Sequence, residues 1–262
     1  MKVSFAWCHF ACLALSVIKA GDSTEIIGGQ EVVPHSRPYM VLIQINESEK
    51  KTICGGTLIK PNWVLTAAHC KGDKMEVILG AHSETEHEDT KQNFTVKKAC
   101  PHPHYNSTRN MRDIMLLQLV GKAKLNKFVS IHKLPKSYED VKAGTKCSVA
   151  GWGTMDNTKR ETSDVLREVN VTIIDRRVCN RADYYGSKFT ITMDMLCAGD
   201  PNGHKDSCDG DSGGPLICDG ELKGITSFGA KGKCGAPKKP GVYTSLSKKF
   251  LEWIAQTIKQ TV

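Results

Sequence analysis

Ser212 stands in a segment suited to nucleophilic catalysis, the glycine-rich stretch Gly-Asp-Ser-Gly-Gly-Pro at 210–215. A hydroxyl is a poor nucleophile unless a neighbouring base takes its proton and N–H donors stabilise the oxyanion that forms. Glycine permits backbone dihedrals that are closed to other residues, so a tight turn here can present such donors. Taken alone, the segment also fits a glycine-rich hairpin without chemistry.

A base and an acid that would serve this serine stand elsewhere in the chain. Histidine has the side-chain pKa nearest to working pH, and His69 ends an apolar stretch beside Cys70, which would hold it in place. Asp113 directly precedes the apolar run Ile114–Leu119, and a carboxylate there would orient the imidazole and stabilise its cation. Without the other two residues, Asp113 is more typical of a turn.

Short β-rich runs separated by turn residues predict the elements that position these groups. The runs are Met40–Ile45, Ile53–Ile59, Trp63–Ala67, Met75–Leu79, Ile114–Val120, Lys146–Ala150, Leu166–Ile174, Pro215–Cys218, Leu222–Ser227 and Gly241–Ser245. This rhythm is typical of sandwiches and barrels. After Ser247, a suitable N-cap, apolar residues at helical spacing predict a C-terminal helix; they are Phe250, Leu251, Ile254 and Ile258. The Lys-rich stretch 121–138 predicts a connection between two halves.

The segments TAAHC, DIMLL and GDSGGP, in the order His, Asp, Ser, resemble the chymotrypsin and trypsin family of serine proteases. The resemblance runs from Ile26 to the C-terminus. It implies an all-β fold of two antiparallel six-stranded barrels with a C-terminal α-helix. The implied bounds are about 27–120 for the first barrel, 121–138 for the linker, 139–246 for the second barrel and 247–260 for the helix, within a catalytic domain at 26–262.

The resemblance implies an endopeptidase that works through an acyl-enzyme. Ser212 would be the nucleophile, His69 the general base and then acid, and Asp113 the group that orients His69. The N–H groups of Gly210 and Ser212 would form the oxyanion hole. No cofactor is implied, and no metal is expected, because Ala81 stands where trypsins place the first acidic ligand of a calcium loop.

An acid six residues before the nucleophile, Asp206, resembles the floor of the specificity pocket in trypsin-like members. A carboxylate in a narrow apolar slot matches the cation of a substrate Lys or Arg. The implied walls of this pocket are Ser207, Ser227, Phe228, Gly229 and Gly241. The alternative is a surface aspartate in a loop.

The N-terminal region predicts secretion and activation by cleavage. Residues 1–23, with an apolar stretch shorter than the ~20 residues of a membrane span, predict a signal peptide, cleaved after residue 20 or 23, and no membrane anchor. In the family, a new amino group, here that of Ile26, pairs with the acid before the nucleophile, here Asp211. The preceding Thr24-Glu25 resembles the acidic dipeptide that a dipeptidyl peptidase removes from leukocyte granule proteases.

Eleven cysteines predict an oxidising compartment, and nine of them follow the leader, which contains Cys8 and Cys12. The resemblance implies the pairs Cys54 with Cys70, Cys147 with Cys218, Cys179 with Cys197 and Cys208 with Cys234. The last pair and Asp206 indicate the branch of the family that contains granzymes A and K, the tryptases of killer-lymphocyte granules. Cys100 is left over, and either a disulfide-linked homodimer or a buried free thiol accounts for it.

The surface composition predicts the kinds of partner. The net charge is +8, much of it in Lys and Arg doublets, which attracts sulfated proteoglycans or acidic proteins. Four sequons, at Asn46, Asn93, Asn106 and Asn170, fit a secreted glycoprotein. The other expected partners are proteins with Lys or Arg at the cleavage site, the activating dipeptidyl peptidase and serpin-type inhibitors. Two rivals stay open, a trypsin-like protease of plasma or mast cells and a non-catalytic homologue that acts as a binding module.

Overall fold

The computed structural model describes residues 27–47, 50–159 and 161–261. The predicted signal peptide, the Thr24-Glu25 dipeptide and Ile26 lie outside these residues. The strands are β1 Gln30–Glu31, β2 Met40–Glu47, β3 Lys50–Lys60, β4 Trp63–Thr66, β5 Lys74–Leu79, β6 Gln92–Pro101, β7 Met115–Leu119, β8 Lys146–Gly151, β9 Arg167–Ile174, β10 Met195–Gly199, β11 Pro215–Cys218, β12 Glu221–Phe228 and β13 Gly241–Ser245. The α-helices are α1 Arg176–Cys179 and α2 Lys248–Gln260, and a 3₁₀ turn spans Ala68–Cys70.

The first six long strands form a closed antiparallel barrel in the order β2-β3-β4-β7-β6-β5. Its core is made by inward-facing branched residues, including Val41, Ile43, Leu58 and Leu117, which are fully buried. Strands β4 and β7 are buried at every position. Their sequences are accordingly apolar except for Thr66 and Gln118 and do not alternate, and this pair ends at the residues predicted to carry chemistry.

The remaining long strands form a second closed barrel, β8-β9-β10-β13-β12-β11, in which β11 also pairs with β8. The short strand β1 adds to β9 from outside. The core of this barrel includes Val149, Val171, Leu216 and Tyr243. Two antiparallel six-stranded barrels and a C-terminal helix confirm the predicted fold class.

Three strands and a short helix were not predicted. Strand β6 alternates between half-buried and exposed residues and carries Lys97-Lys98, so its sequence is too polar to stand out. Strand β10 is Met-Leu-Cys-Ala-Gly and lacks β-branched residues, and β1 is only two residues long. Helix α1 is four residues long, and the Asp175 side chain caps it by accepting from the Arg177 N–H.

Helix α2 forms where the apolar spacing predicts it. Phe250 and Ile254 are buried in the same hydrophobic cluster as the core residues of the first barrel. Ser247 is its N-cap residue, but the Ser247 side chain makes no capping hydrogen bond. Its carbonyl instead accepts from the N–H groups of Phe250 and Leu251. Among the described residues no helix is long and apolar enough to cross a membrane.

Candidate active site

Strand pairing brings His69 and Asp113 together. Strand β4 leads into the 3₁₀ turn that carries His69, and β7 begins just after Asp113; Thr66 and Met115 are partners in the β4–β7 ladder. The distance between His69 Nδ1 and Asp113 Oδ2 is 2.7 Å, and the His69 backbone N–H donates to Asp113 Oδ1 at 3.0 Å. The carboxylate therefore holds both the ring and the main chain of the histidine.

The second barrel completes the environment of Asp113, which is 1% exposed. The Ser227 hydroxyl donates to Asp113 Oδ2 at 2.6 Å, and the Thr244 hydroxyl donates to the Asp113 carbonyl at 2.9 Å. A buried carboxylate is costly unless it is hydrogen-bonded, and His69 and Ser227 together supply the bonds to this one. The sequence indicates Ser227 only as a pocket wall, because its contact with Asp113 joins residues 114 positions apart.

The Ser212 turn is held tightly against both barrels. The Gly55 N–H donates to the Ser212 carbonyl at 2.7 Å, and the Gly213 N–H donates to the Thr226 carbonyl at 2.8 Å. Gly213 has φ +81°, and a Cβ there would lie 2.1 Å from Thr66 Oγ1. Only glycine fits this position, so the serine is presented on a rigid turn.

Ser212 and His69 line one cavity of about 580 Å³. Within the described chain no hydrogen bond joins the Ser212 hydroxyl to the imidazole; such catalytic bonds often tighten only when substrate binds. The N–H groups of Gly210 and Ser212 also make no hydrogen bond to other described residues. Gly210 has φ +101°, and this conformation leaves both donors free at the turn, as an oxyanion hole requires.

Asp211 points away from this turn into the protein and is fully buried. Its carboxylate accepts from the Gly153 N–H at 2.8 Å and from the Cys208 N–H at 2.9 Å. Burial raises the pKa of Asp211 to about 6. The first described residue, Ile27, lies beside the loop that leads to Asp211, because the Ile27 carbonyl accepts a hydrogen bond from the Asp206 N–H at 3.2 Å.

Asp206 is 1% exposed, and burial raises its pKa to about 7. Its Oδ2 accepts from the Gly235 N–H at 3.1 Å, whereas Oδ1 is buried without a hydrogen-bond partner among the described residues. A Cβ on Gly241 would lie 2.7 Å from Oδ1, so a side chain at position 241 would clash with this oxygen. The neighbouring Ser207 hydroxyl lies 3.1 Å from the Tyr243 hydroxyl.

Most of the predicted pocket residues line the same cavity as His69 and Ser212. Ser207, Ser227, Phe228 and Gly229 do so, whereas Asp206 and Gly241 lie together behind this lining. The cavity also includes residues that the sequence did not single out for it, namely Tyr105, Ser107, Asn110, Cys208, Asp209, Thr226, Ala230, Lys231 and Cys234. Tyr105, Ser107 and Asn110 come from a loop far from Ser212 in the sequence, whereas the others lie near the predicted serine and pocket segments.

Four disulfides brace the two barrels, with the same partners that the resemblance implies: Cys54–Cys70, Cys147–Cys218, Cys179–Cys197 and Cys208–Cys234. Cys54, His69 and Cys70 lie close enough together to hold a metal ion, but both sulfurs belong to a disulfide and cannot be ligands. Among the cysteines of residues 27–261, Cys100 alone is unpaired; it is half-buried on β6, and burial raises the pKa of its thiol.

A chymotrypsin-like serine protease is the class of protein that this architecture defines. The trypsin family model matches residues 26–254, and the chain belongs to the trypsin family. The chain is 52% identical to granzyme A of Bos taurus over 235 residues, which is 89% of this chain and 88% of the relative. It is 45% identical to mast cell protease 3 of Ovis aries, over 96% of both chains. It is 44% identical to granzyme B(G,H) of Mus musculus, over 95% of this chain and 97% of the relative.

Proposed function

We propose that this serine protease is a tryptase, which hydrolyses peptide bonds after Lys or Arg. The observation that carries the proposal is the buried Asp206 carboxylate, of which one oxygen has no hydrogen-bond partner among the described residues. An isolated buried charge is strongly unfavourable. The ammonium or guanidinium of a substrate side chain supplies the missing partner, so the pocket favours cationic residues over neutral ones.

The chemistry follows from the three groups at the cavity. The Ser212 hydroxyl attacks the substrate carbonyl while His69 accepts its proton, and Asp113 stabilises the resulting imidazolium through the 2.7 Å contact at Nδ1. The N–H groups of Gly210 and Ser212 donate to the oxyanion, where one donor typically contributes ~3 kcal/mol of transition-state stabilisation. His69 then protonates the leaving amine, and water hydrolyses the acyl-enzyme by the same steps.

The precursor is activated when a dipeptidyl peptidase removes Thr24-Glu25 and frees the Ile26 amino group. This ammonium pairs with Asp211, whose buried carboxylate has two N–H donors but no cationic partner in the described chain. The hydrogen bond from Asp206 N–H to the Ile27 carbonyl supports the proposal, because it ties the start of the mature chain to the loop that leads to Asp211.

The cellular setting is a granule of cytotoxic lymphocytes, from which the protease is secreted. Similarity to granzyme A of Bos taurus supports this setting. The four sequon asparagines, Asn46, Asn93, Asn106 and Asn170, are all exposed and accessible for glycosylation. The net charge of +8 favours storage on sulfated proteoglycan, and serpin-type proteins are the expected inhibitors.

The direct test uses the chain beginning at Ile26 and a peptide library in which the residue before the cleaved bond varies. We expect cleavage after Lys and Arg, and its complete loss in Ser212→Ala. Cleavage mainly after aromatic, aliphatic or acidic residues would contradict the tryptase assignment. No cleavage of any peptide would favour the non-catalytic binding module, and location of the protein in plasma or mast cells would favour the other rival.

A disulfide-linked homodimer through Cys100 is the proposed oligomer. The thiol is half-buried on β6, so the strand surface around it must form part of the contact. We expect twice the monomer mass on a non-reducing gel and the monomer mass after reduction or in Cys100→Ser. Monomer mass under both conditions would leave Cys100 as a free thiol.

A further inference from the structure

Two chain segments contribute most of the residues that line the catalytic cavity. The serine wall is 207–212 and the phenylalanine wall is 226–231. They are joined at one end where Thr226 N–H donates to the Gly214 carbonyl and Gly213 N–H donates to the Thr226 carbonyl, each at 2.8 Å. The disulfide Cys208–Cys234 ties the serine wall to the chain just beyond the phenylalanine wall. Covalent and hydrogen-bonded links therefore restrain the positions of both segments at the cavity.

Each wall has one exposed charged residue that lines the cavity, and the two charges are opposite. Asp209 is on the serine wall and Lys231 is on the phenylalanine wall. Within the described residues neither side chain forms an ion pair or a hydrogen bond. Both charges are therefore available to a substrate.

The Asp209 main chain is held in place, which keeps its side chain at the rim. Its carbonyl accepts from the Thr154 N–H at 2.7 Å and from the Thr154 hydroxyl at 3.1 Å. Burial raises the pKa of Asp211, and the nearby Asp209 carboxylate raises it further. The charge of Asp209 therefore acts electrostatically on the loop that carries Ser212.

We propose that Asp209 and Lys231 make the cleft a selector of peptides with opposite charges at two flanking positions: a basic residue beside the serine wall and an acidic residue beside the phenylalanine wall. This inference rests on the proposed endopeptidase function. The net charge of +8 acts on every substrate position alike, whereas the two wall charges act on different positions. Exposed pairs of this kind change an equilibrium roughly two- to fivefold.

The test uses the full chain beginning at Ile26 and internally quenched peptides with one Arg in a neutral sequence. At each flanking position in turn, the residue is changed to Lys or to Glu. Because an added Lys is itself a cleavage site under the proposed function, the products are identified by mass spectrometry, and kcat/KM is taken for the bond after Arg alone. We expect Lys to exceed Glu roughly two- to fivefold at positions near the serine wall, and Glu to exceed Lys at positions near the phenylalanine wall. Salt at ~1 M shortens the screening length to ~3 Å and should weaken both preferences.

Variants identify the responsible residues. Asp209→Asn should remove the first preference and Asp209→Lys should reverse it, while Lys231→Glu should reverse the second. The controls Asp89→Asn and Lys122→Glu change exposed charges outside the cavity and should leave both preferences in place. Ratios near one at every position, or ratios that the wall variants do not change, would overturn the inference.

A failure of the proposed function has a different outcome. If the neutral Arg peptide is not cleaved at all, the endopeptidase assignment is wrong. The same peptides are then labelled, and their binding to Ser212→Ala is measured by fluorescence anisotropy. A dependence on charge and position that Asp209→Lys and Lys231→Glu reverse would support the two charged walls without any catalysis, and equal binding of all peptides would overturn them.

Discussion

At the scale of single residues, the buried environment of Asp206 has opposite consequences for the stability of the protein and for its activity. Its carboxylate is buried, one oxygen has no hydrogen-bond partner in the described chain, and burial raises its pKa to about 7. A buried carboxylate without a cation destabilises the free protein, whereas the same carboxylate would bind a cationic side chain strongly. Replacing it should therefore have opposite effects on folding and on catalysis.

Asp206→Ser and the isosteric Asp206→Asn should both greatly lower kcat/KM for cleavage after Arg. Loss of one member of a buried ion pair costs ~3–5 kcal/mol, which corresponds to a fall of roughly a hundredfold to several thousandfold in kcat/KM. The thermal midpoint of free Asp206→Asn should rise, because no buried charge remains. Steady-state kinetics and calorimetry measure the two effects, with Asp89→Asn as the control at an exposed site. Unchanged hydrolysis of basic substrates would contradict the role of Asp206.

The raised pKa of Asp206 predicts pH-dependent binding of cations. Below about pH 7 the free carboxylate is protonated and neutral, so binding of a cation requires release of that proton. The Kd of benzamidine for Ser212→Ala should therefore rise toward tenfold per pH unit below 7 and level off above it. Titration calorimetry in two buffers should detect the released proton at pH 6, and Asp206→Asn should remove this dependence. A Kd that is constant from pH 5 to 8 would contradict the prediction.

The same shifts predict how stability depends on pH. In the precursor, where no free Ile26 ammonium pairs with Asp211, burial raises the folded-state pKa values of Asp206 and Asp211 to about 7 and about 6, above the ~3.9 of an unfolded aspartate. The folded state then binds protons more tightly than the unfolded state. The contribution of these two groups to stability is complete below pH ~4 and is lost as the pH rises through 6 and 7. Urea titrations of Asp206→Asn should show a smaller loss over this range than the parent chain.

At the scale of elements, the site depends on short connections that are braced from outside. His69 lies in a 3₁₀ turn tied to β3 by Cys54–Cys70, and the two cavity walls are tied by Cys208–Cys234. A disulfide stabilises mainly by restricting the unfolded chain, and in addition it fixes the distance between the segments that it joins. Bridges at the cavity and bridges elsewhere should therefore differ in their effect on catalysis.

Removing Cys208–Cys234 by two Cys→Ala changes should weaken both folding and substrate binding. The bridge joins residues 26 positions apart, for which the loop-entropy model gives ~3–4 kcal/mol. The KM for Arg substrates should also rise several-fold, because the walls can separate. The matched control removes Cys147–Cys218, which lies in the core of the second barrel, and should lower stability without raising KM. Equal effects on KM would show that the first bridge has no local role.

At the scale of the whole molecule, the site exists only where the two barrels meet. The first barrel carries His69 and Asp113, whereas the second barrel carries Ser227 and Thr244, which donate to Asp113. Ser212 is also held from both sides, since its carbonyl accepts from Gly55 of the first barrel. Any change that shifts one barrel against the other alters these contacts together.

Activation should act on this junction through Asp211. The chain that begins at Thr24 should be roughly a hundredfold to several thousandfold less active than the chain that begins at Ile26, because a buried carboxylate without its cation costs ~3–5 kcal/mol. Asp211→Asn should lower the activity of the Ile26 chain similarly, and combining the two changes should cause little further loss, since both remove one ion pair. Kinetics on chains with sequenced N-termini measure this. Full activity of the Thr24 chain would contradict the proposal.

The sequence by itself determined the fold class and the order of the chemical groups. Glycines around Ser212, small residues before His69 and an apolar run after Asp113 are local signals, and short apolar strands with turns indicated the barrels. Polar strands such as β6 left too weak a signal to predict. Only the tertiary structure decided that Ser227 bonds to Asp113, that one Asp206 oxygen has no hydrogen-bond partner in the part of the chain that is described, and that Asp209 and Lys231 share a cavity. These contacts join residues far apart in the chain, so they depend on how the barrels and loops pack rather than on local propensity.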